Sequence, residues 1–543
     1  MHEQGLLARA GSPFVLSTLV LLFTQSEAST ITRANQIRGS NHFTVPTRSR
    51  WMRRLPRGNR FGRQGGGNKI ARANLADMFG SLFQQSSEQV GSGMQLDTLP
   101  APNLRAALGW PELSAKAQTL IDEDKALKEK VEAEEGLGAE RSEMAQPRAT
   151  LRLFDAPAGT EPEVTLYRDS ASWCPYCEKV WLLLEEKRIP YRIEFVPMSC
   201  YGRKPESFLK IQPSGGIPVA MVQGRILPES NDILDEIERV YTEKPMIPLL
   251  DSEEGRAFQP MLRLERRLFS AWFGWLVAGF GESEFMSAAD ETEATLSKFE
   301  GPYFLGKELS LVDIMFAPFL ERMAASLPYY KGLVFRGNPR WRNIERWFSA
   351  MEQRASFKGI QSDYYTHVHA LPPQIGGCRF SGDYELYKND IDGTAGQSWR
   401  VPLSDAGGVE PVRMADQNQK WARVTAAKAL ISGHRAVAKF ATRALGESGR
   451  GVSAPFADPF RKSEPRMELH VDLALRIVGE AMLHGDEAAK EHVAKMTEMS
   501  NLPGKETAEC LMYLRDRIGV PRDMNFAQAR QLRAYINLVV NAL

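Results

Sequence analysis

A Cys-Pro-Tyr-Cys turn at residues 174–177 narrows the possible folds of this chain more than any other stretch. It follows a β-type run at residues 164–167 and precedes a helix-type pattern at residues 180–187. Proline is well tolerated in the first turn of a helix, where its missing N–H group is no loss. The pattern therefore predicts that Cys174 lies at the N-terminus of a helix.

That position has chemical consequences for the first cysteine. Unpaired amides and the helix dipole favour a negatively charged sulfur, and the thiolate is the reactive form of a cysteine. Cys177 lies one turn further along the same side of the helix. It is therefore placed to resolve a mixed disulfide formed on Cys174.

A Cys-x-x-Cys pair has two other interpretations. It can be half of a zinc site, but no second Cys pair or nearby His supplies the other ligands. It can also be a buried structural pair. Five cysteines in 543 residues exclude a disulfide scaffold. The strand before the turn and the helix after it favour redox chemistry, and we expect this protein to use no metal.

The residues after the turn continue an alternation of strands and helices. In order, the patterns indicate a strand at residues 191–196, a helix near 207–213, a strand entered at Pro218, a hairpin return at 224–227 and a helix capped by Ser230. The order β-α-β-α-β-β-α is typical of a thioredoxin-like domain.

With these residues in view, residues 163–375 resemble a cytosolic-type glutathione transferase, closest to the cysteine-type omega, lambda and dehydroascorbate-reductase classes. The resemblance rests on the turn at 174–177, Lys204-Pro205-Glu206, Ile217-Pro218 and Glu229-Ser230. Those classes usually have a residue other than Cys at the last turn position, so the Cys-Pro-Tyr-Cys site is glutaredoxin-like.

The resemblance implies roles for several residues in binding glutathione. The backbone of Ile217, before a cis Pro218, would pair with the cysteinyl backbone of the tripeptide. Ser230 would hold the γ-glutamyl carboxylate and Glu229 the γ-glutamyl ammonium, while Lys204 would pair with the glycyl carboxylate. The alternatives are an ordinary solvated lysine at 204 and a plain helix cap at 229–230.

The pattern becomes helical after residue 245. An apolar run at residues 268–280 is too short to span a bilayer and indicates a buried helix. The candidates for a second-substrate pocket are Tyr176, Trp272 and Trp275, although core packing is an open alternative for the tryptophans. Ser310 and Asp313 form a capping-box pattern at the start of a later buried helix.

The whole chain is predicted to contain an α/β thioredoxin-like domain, an all-α glutathione-transferase C-terminal domain and an extra C-terminal helical bundle. We place these domains at residues 163–245, 251–375 and 411–543. Residues 74–162 are expected to be a linker with helical segments, and residues 376–410 a second linker. The bundle has no role that its sequence indicates.

The N-terminal residues have the composition of a targeting address. Residues 1–28 have the pattern of a signal peptide. Residues 29–73 are rich in Arg and contain no Asp or Glu, as in transit peptides. The combination resembles the two-part plastid address of algae with a secondary plastid. The alternatives are export through the secretory pathway, an RNA-binding tail around residues 58–67 and a disordered spacer.

Composition limits the partners. The chain has 68 Lys and Arg against 67 Asp and Glu, which excludes a bulk polycation. We expect no nucleic-acid partner and no membrane span in the mature protein. Dimers are common in the family, so a homodimer is one candidate assembly, with the alternative that the extra segments of this chain block or replace the dimer interface.

These observations predict a glutathione-dependent thiol transferase or reductase. Cys174 would attack a glutathionylated or oxidised small-molecule substrate, and glutathione, the co-substrate, or Cys177 would release the product. One alternative is a dehydroascorbate reductase, which uses the same nucleophile. The other is a non-catalytic scaffold or binding module with the transferase fold.

Overall fold

The computed structural model describes residues 99–135, 143–394, 399–403, 408–411, 419–451 and 454–543. The predicted signal peptide at 1–28 and the transit-peptide-like segment at 29–73 lie outside these residues. We therefore retain both as predictions.

Helices make up most of the described chain. In chain order they are α1 Trp110–Asp122, α2 Lys125–Glu135, α3 Pro175–Lys187, α4 Glu206–Ile211, α5 Ser230–Val240, α6 Glu253–Ala278, α7 Glu282–Thr295, α8 Leu311–Lys331, α9 Arg342–Met351, α10 Ala355–Ile360, α11 Tyr364–Ile375, α12 Glu385–Ile391, α13 Gln419–Ala441, α14 Glu468–His484, α15 Asp486–Ser500, α16 Gly504–Arg515 and α17 Phe526–Val540.

Within the described residues, the strands form one five-stranded mixed sheet with the order β1-β3-β2-β4-β5. They are β1 Leu151–Arg152, β2 Val164–Asp169, β3 Tyr191–Val196, β4 Val219–Val222 and β5 Arg225–Leu227. β2 and β3 are parallel, and β4 runs antiparallel to β2. Parallel neighbours require a crossover connection, and α3 supplies it. The crossover places the turn at residues 174–177 at the carboxyl end of β2.

The sheet and α3 share one apolar core. Leu166 of β2 pairs with Ile193 of β3 and with Ala220 of β4, and its side chain is fully buried. Val180 and Leu184 of α3 are buried in the same core. Burial on both sides of the turn holds the start of α3 against the end of β2.

The second domain is built around α8. This helix is buried along its whole length and packs against α3, α6 and α11. The predicted capping box is confirmed: the Asp313 side chain accepts hydrogen bonds from the Ser310 backbone N–H at 2.9 Å and its hydroxyl at 2.7 Å. Asp313 also accepts from the indole N–H of Trp347 at 2.9 Å. The box therefore links the start of α8 to α9.

A third group of helices follows, comprising α13 to α17. Residues 74–162 were expected to be a linker with helical segments. The structure has the helices α1 and α2 there, and Trp110 and Leu113 of α1 are buried in the core of this bundle. Asp486–Ser500 also forms a helix, α15, that the sequence pattern did not predict. In the predicted linker at 376–410, α12 packs on α8.

The predicted fold class is confirmed. A mixed-sheet thioredoxin-like domain is followed by a helical domain and by additional C-terminal helices. The exact domain boundaries remain predictions. Over the ranges that the structure describes, no helix combines the length and apolarity needed to cross a bilayer.

Candidate active site

Cys174 lies where the sequence predicts, at the N-terminus of α3. It is the N-cap residue, with an extended backbone at φ −79° and ψ 117°, and Pro175 begins the helix. The residue is 7% exposed, and its Sγ lies 4.0 Å from the carbonyl oxygen of Ile217. Helix N-termini present unpaired N–H groups and the positive end of the dipole, so this position favours a negatively charged sulfur.

Cys177 has a different environment one turn further on. It is 1% exposed. Burial, and then the neighbouring Cys174, raise the pKa of the Cys177 thiol well above its usual value. A protonated thiol is a weak nucleophile. The two cysteines are therefore chemically unequal, and Cys177 is the poorer attacking group.

The residues before β4 approach the first cysteine. The peptide bond between Ile217 and Pro218 is cis. Pro218 is buried and Ile217 is half-buried. The structure thus brings Cys174 and the Ile217-Pro218 pair together, as the resemblance implies.

The start of α5 differs in detail from the prediction. Glu229 is the N-cap and Ser230 is the first helical residue, so Ser230 is not the cap. Ser230 is buried and Glu229 is exposed. The Lys179 ammonium of α3 donates a hydrogen bond to Asn231 Oδ1 at 2.7 Å. This contact joins the first turn of α5 to the helix that begins after Cys174.

Lys204 lies in the segment between β3 and α4. Its ammonium donates to the carbonyl oxygen of Pro197 at 2.7 Å. Burial lowers the pKa of Lys204, and the nearby acidic groups, first the thiol of Cys177 and then that of Cys174, partly oppose that shift. Lys204 is therefore half-buried and within electrostatic reach of both sulfurs, unlike a solvated surface lysine.

The pocket candidates separate into two groups. Tyr176 is half-buried and meets Phe319 edge to face, with ring centroids 5.8 Å apart. Trp272 is 2% exposed and donates its indole N–H to Ser326 Oγ at 3.0 Å. Trp275 is 4% exposed. Both tryptophans lie within the core, so the structure favours core packing for them over a role in lining a pocket.

Next to Tyr176 is an aromatic group that the sequence reasoning missed. Phe269 of α6 contacts Phe319 of α8, with ring centroids 4.8 Å apart. The guanidinium of Arg266 lies 4.6 Å from the Phe269 ring centroid and 4.7 Å from that of Phe319. The sequence shows that Arg266 and Phe269 are three positions apart and so share one face of α6. It does not show that this face contacts Phe319 of α8.

A buried charge network lies beneath the turn and was also missed. Arg322 of α8 donates to the carbonyl oxygen of Trp173 and to Glu178 Oε2, each at 2.8 Å. Burial, and then the charge of Glu321, raise the pKa of Glu178 to about 8, against the pull of Arg322. The signal in the sequence was the pair of charged residues Glu321 and Arg322 within the otherwise apolar pattern of α8, which indicates a buried ion-pair network. The network holds the Trp173 backbone before Cys174 and the Glu178 side chain after it.

The C-terminal bundle reaches the same turn. The indole N–H of Trp173 donates to the carbonyl oxygen of Val520 at 3.0 Å. A methyl group on Gly519 would come within 2.5 Å of the Trp173 ring. The Arg522 guanidinium lies 5.0 Å from the centroid of that ring. The residue before Cys174 is therefore held by the appended helices as well as by its own domain.

Comparison with known proteins identifies two domains of one family in this chain. The family description "Glutathione S-transferase, N-terminal domain" matches residues 173–240. The description "Glutathione S-transferase, C-terminal domain" matches residues 265–360. The first region contains the turn and the start of α5, and the second contains most of α6 and all of α8.

Individual proteins are also similar to this chain. The chain is 33% identical to glutathione S-transferase DHAR3, chloroplastic, of Arabidopsis thaliana over 162 residues, which are 29% of this chain and 58% of that protein. It is 30% identical to glutathione S-transferase DHAR2 of the same plant over 162 residues, 29% of this chain and 70% of that protein. It thus spans little more than half the length of the first relative.

A solved structure is also similar. Glutathione transferase Omega 3C from Trametes versicolor is 27% identical, with a TM-score of 0.32, over 38% of this chain and 91% of that one. The two domain descriptions and the similarity to DHAR2 lead to one conclusion: the chain belongs to the glutathione S-transferase family.

Proposed function

We propose that this chain is a glutathione-dependent thiol transferase or reductase with Cys174 as its nucleophile. The observation that carries the proposal is the position of the Cys174 sulfur, at a helix N-terminus and 4.0 Å from the Ile217 carbonyl oxygen. Conjugating transferases of the family rely instead on Ser or Tyr at this position. A cysteine there favours thiol–disulfide exchange.

The reaction is a pair of exchanges. The Cys174 thiolate attacks the glutathione sulfur of a glutathionylated substrate, and the substrate leaves as its thiolate and takes up a proton. A second glutathione, as thiolate, then attacks the mixed disulfide on Cys174. Glutathione disulfide leaves and the Cys174 thiolate is regenerated.

The burial of Cys177 supports this monothiol route. In a dithiol route Cys177 would attack the mixed disulfide on Cys174 and release glutathione. That step needs a Cys177 thiolate, which its burial opposes. We therefore assign release of the product to glutathione.

For glutathione itself we propose the contacts that the resemblance implies. The Ile217 backbone pairs with the cysteinyl part, and Pro218 shapes the approach. Ser230 and the amides at the start of α5 hold the γ-glutamyl carboxylate, with Glu229 on the ammonium. Lys204 is half-buried near the sulfurs, and it exchanges its bond to Pro197 for the glycyl carboxylate.

The experiment compares the wild-type chain with Cys174→Ser and Cys177→Ser. The substrates are a mixed disulfide of glutathione, dehydroascorbate and an aryl halide. We expect Cys174→Ser to abolish turnover of the mixed disulfide and Cys177→Ser to retain most of it. Mass spectrometry after brief iodoacetamide treatment at neutral pH is expected to find the label on Cys174 before Cys177. Full activity of Cys174→Ser would exclude the proposal.

The second candidate is dehydroascorbate reduction, to which the DHAR names of the two relatives point. It uses the same sulfur, so the substrate panel separates it from deglutathionylation. The third candidate is a scaffold without catalysis. It is supported only if glutathione binds and the wild-type chain turns over none of the three substrates.

We also propose that residues 1–73 direct the chain to a plastid. The word chloroplastic in the name of the DHAR3 relative supports this. A fluorescent fusion of residues 1–80 tests it, and secretion or a cytosolic signal would contradict it. The candidate homodimer is tested by light scattering on the purified chain.

A further inference from the structure

Three chemistry-bearing side chains meet at the bend between α14 and α15. Glu480 and His484 are one helical turn apart on α14, and His492 lies on α15. A single residue, Gly485, with φ 93°, separates the two helices. One ligand atom of each of the three side chains lies within 4.8 Å of the other two. We name this group the His–Glu cluster.

The distances within the cluster suit a tetrahedral metal ion. Glu480 Oε1 lies 3.2 Å from His492 Nε2 and 3.7 Å from His484 Nε2. Zinc binds such atoms at about 2.0–2.1 Å, which separates neighbouring ligands of a tetrahedron by about 3.3–3.4 Å. The cluster therefore needs only small side-chain adjustments to close around one ion.

His492 turns its ring toward the same carboxylate. Its Nε2 atom is shielded from solvent, and the ring nitrogen and Glu480 Oε1 are at ion-pair distance. The atom faces the Glu480 carboxylate, where a shared cation would lie.

The carboxylate is held in orientation by a neighbouring segment. Glu480 Oε2 accepts a hydrogen bond from the backbone N–H of Leu108 at 2.8 Å. Outer contacts of this kind fix metal ligands in place. Because Oε2 is occupied, Oε1 is the oxygen that turns toward the two histidines.

A lysine holds positive charge at the cluster. Lys116 Nζ of α1 lies 2.9 Å from His484 Nε2. A metal ion requires the lone pair of that nitrogen, so the Lys116 side chain must withdraw when the ion binds. His484 is exposed, which leaves a path for the ion and space for a water ligand.

We propose that Glu480, His484 and His492 bind one divalent transition-metal ion, with Zn²⁺ the best fit and water in the fourth position. Two imidazoles and a carboxylate are a common protein donor set for zinc. The ion thereby links α14 to α15 through shared ligands. This site is separate from the transferase chemistry, and nothing in the sequence reasoning assigned it.

The test measures metal binding by the full chain, without reference to catalysis. Zn²⁺ and Co²⁺ are titrated by calorimetry and by Co²⁺ visible absorption, which also shows whether a thiolate coordinates the ion. The variants are His484→Ala, His492→Ala and Lys116→Ala. The control is His434→Gln, a half-buried histidine of the same bundle outside the cluster. Circular dichroism of the metal-free proteins checks folding.

We expect one equivalent to bind the wild type and His434→Gln alike. Each cluster variant, His484→Ala or His492→Ala, should weaken binding by at least about 100-fold, since losing even an outer contact costs roughly 10–100-fold. Lys116→Ala should tighten it. Zinc at 100 times its Kd should raise the wild-type Tm by about 3 °C.

Three results would overturn the site. The first is the absence of saturable one-equivalent binding to the wild type, and the second is binding that both folded histidine variants retain. The third is Co²⁺ absorption with thiolate character that disappears in Cys174→Ser. The first two results leave open whether Cys174 catalyses thiol transfer, and the activity of Cys174→Ser on the mixed disulfide decides that question separately.

Discussion

Replacing Trp173 by Phe tests whether the C-terminal bundle holds the catalytic turn. The indole N–H of Trp173 bonds the Val520 carbonyl, and its ring lies 4.9 Å from Phe456 and 5.2 Å from Tyr201 between centroids. Phe keeps an aromatic ring but removes the N–H group and part of the ring volume. The substitution therefore loosens the contact without removing it.

The magnitude follows from these contacts. A typical buried hydrogen bond contributes about 1 kcal/mol. The Val520 carbonyl also accepts from the Ser362 hydroxyl, so it is not left without a donor and the loss stays at that level. Trp173 is 1% exposed, and the lost ring volume leaves a gap costing about 1–2 kcal/mol. We expect the free energy of unfolding to fall by about 2–3 kcal/mol.

The control is Trp341→Phe. Trp341 is also fully buried, and its indole N–H donates to Asp290, which keeps a second donor in Arg340. Both variants should lose similar stability in urea unfolding. Trp173→Phe alone should also raise the iodoacetamide alkylation rate of Cys174 several-fold. An alkylation rate equal to that of the control would refute the idea that this contact holds the turn.

Two further predictions concern buried carboxylates. Burial raises the pKa of Glu178 from 4.5 to about 8. Between these two pH values the folded chain keeps a proton on Glu178 that the unfolded chain releases. The free energy of unfolding therefore falls as the pH rises across this window, by up to about 1.4 kcal/mol per pH unit. Glu178→Gln should flatten this slope in urea unfolding from pH 5 to 8, and parallel curves would contradict it. Asp313→Ala should lower the free energy of unfolding by about 3–5 kcal/mol, because buried donors such as the Phe304 N–H lose their acceptor. Asp313→Asn should lower it less. An unchanged melting temperature of Asp313→Ala would count against this prediction.

The local features of the site were predictable from the sequence. β3 has the predicted bounds, and Cys174 precedes α3 as expected. The capping box at Ser310 and Asp313 is present. Each of these depends on residues within a few positions of one another, where hydrophobic period, proline and cap chemistry decide the structure.

Other predictions failed where neighbours along the chain compete. Ser230 was expected to be the cap of α5, but Glu229 takes that position, since cap assignment depends on one residue of shift. α15 was missed because residues 486–500 have a weak apolar stripe. The sequence offered Trp272 and Trp275 as candidates for a second-substrate pocket, with core packing as the alternative, and the structure buries both side chains in the core.

By itself the sequence determined the redox-type turn, the alternation of strands and helices and the family resemblance, because these depend on short-range patterns. Only the tertiary structure decided which residues surround the Cys174 sulfur and which side chains meet at the bend between α14 and α15. Trp173 and Val520 are 347 positions apart, and Glu480 meets both His492 and the N–H of Leu108. Contacts over such separations arise from burying apolar surface across whole helices, and no local pattern records which side chains that burial brings together.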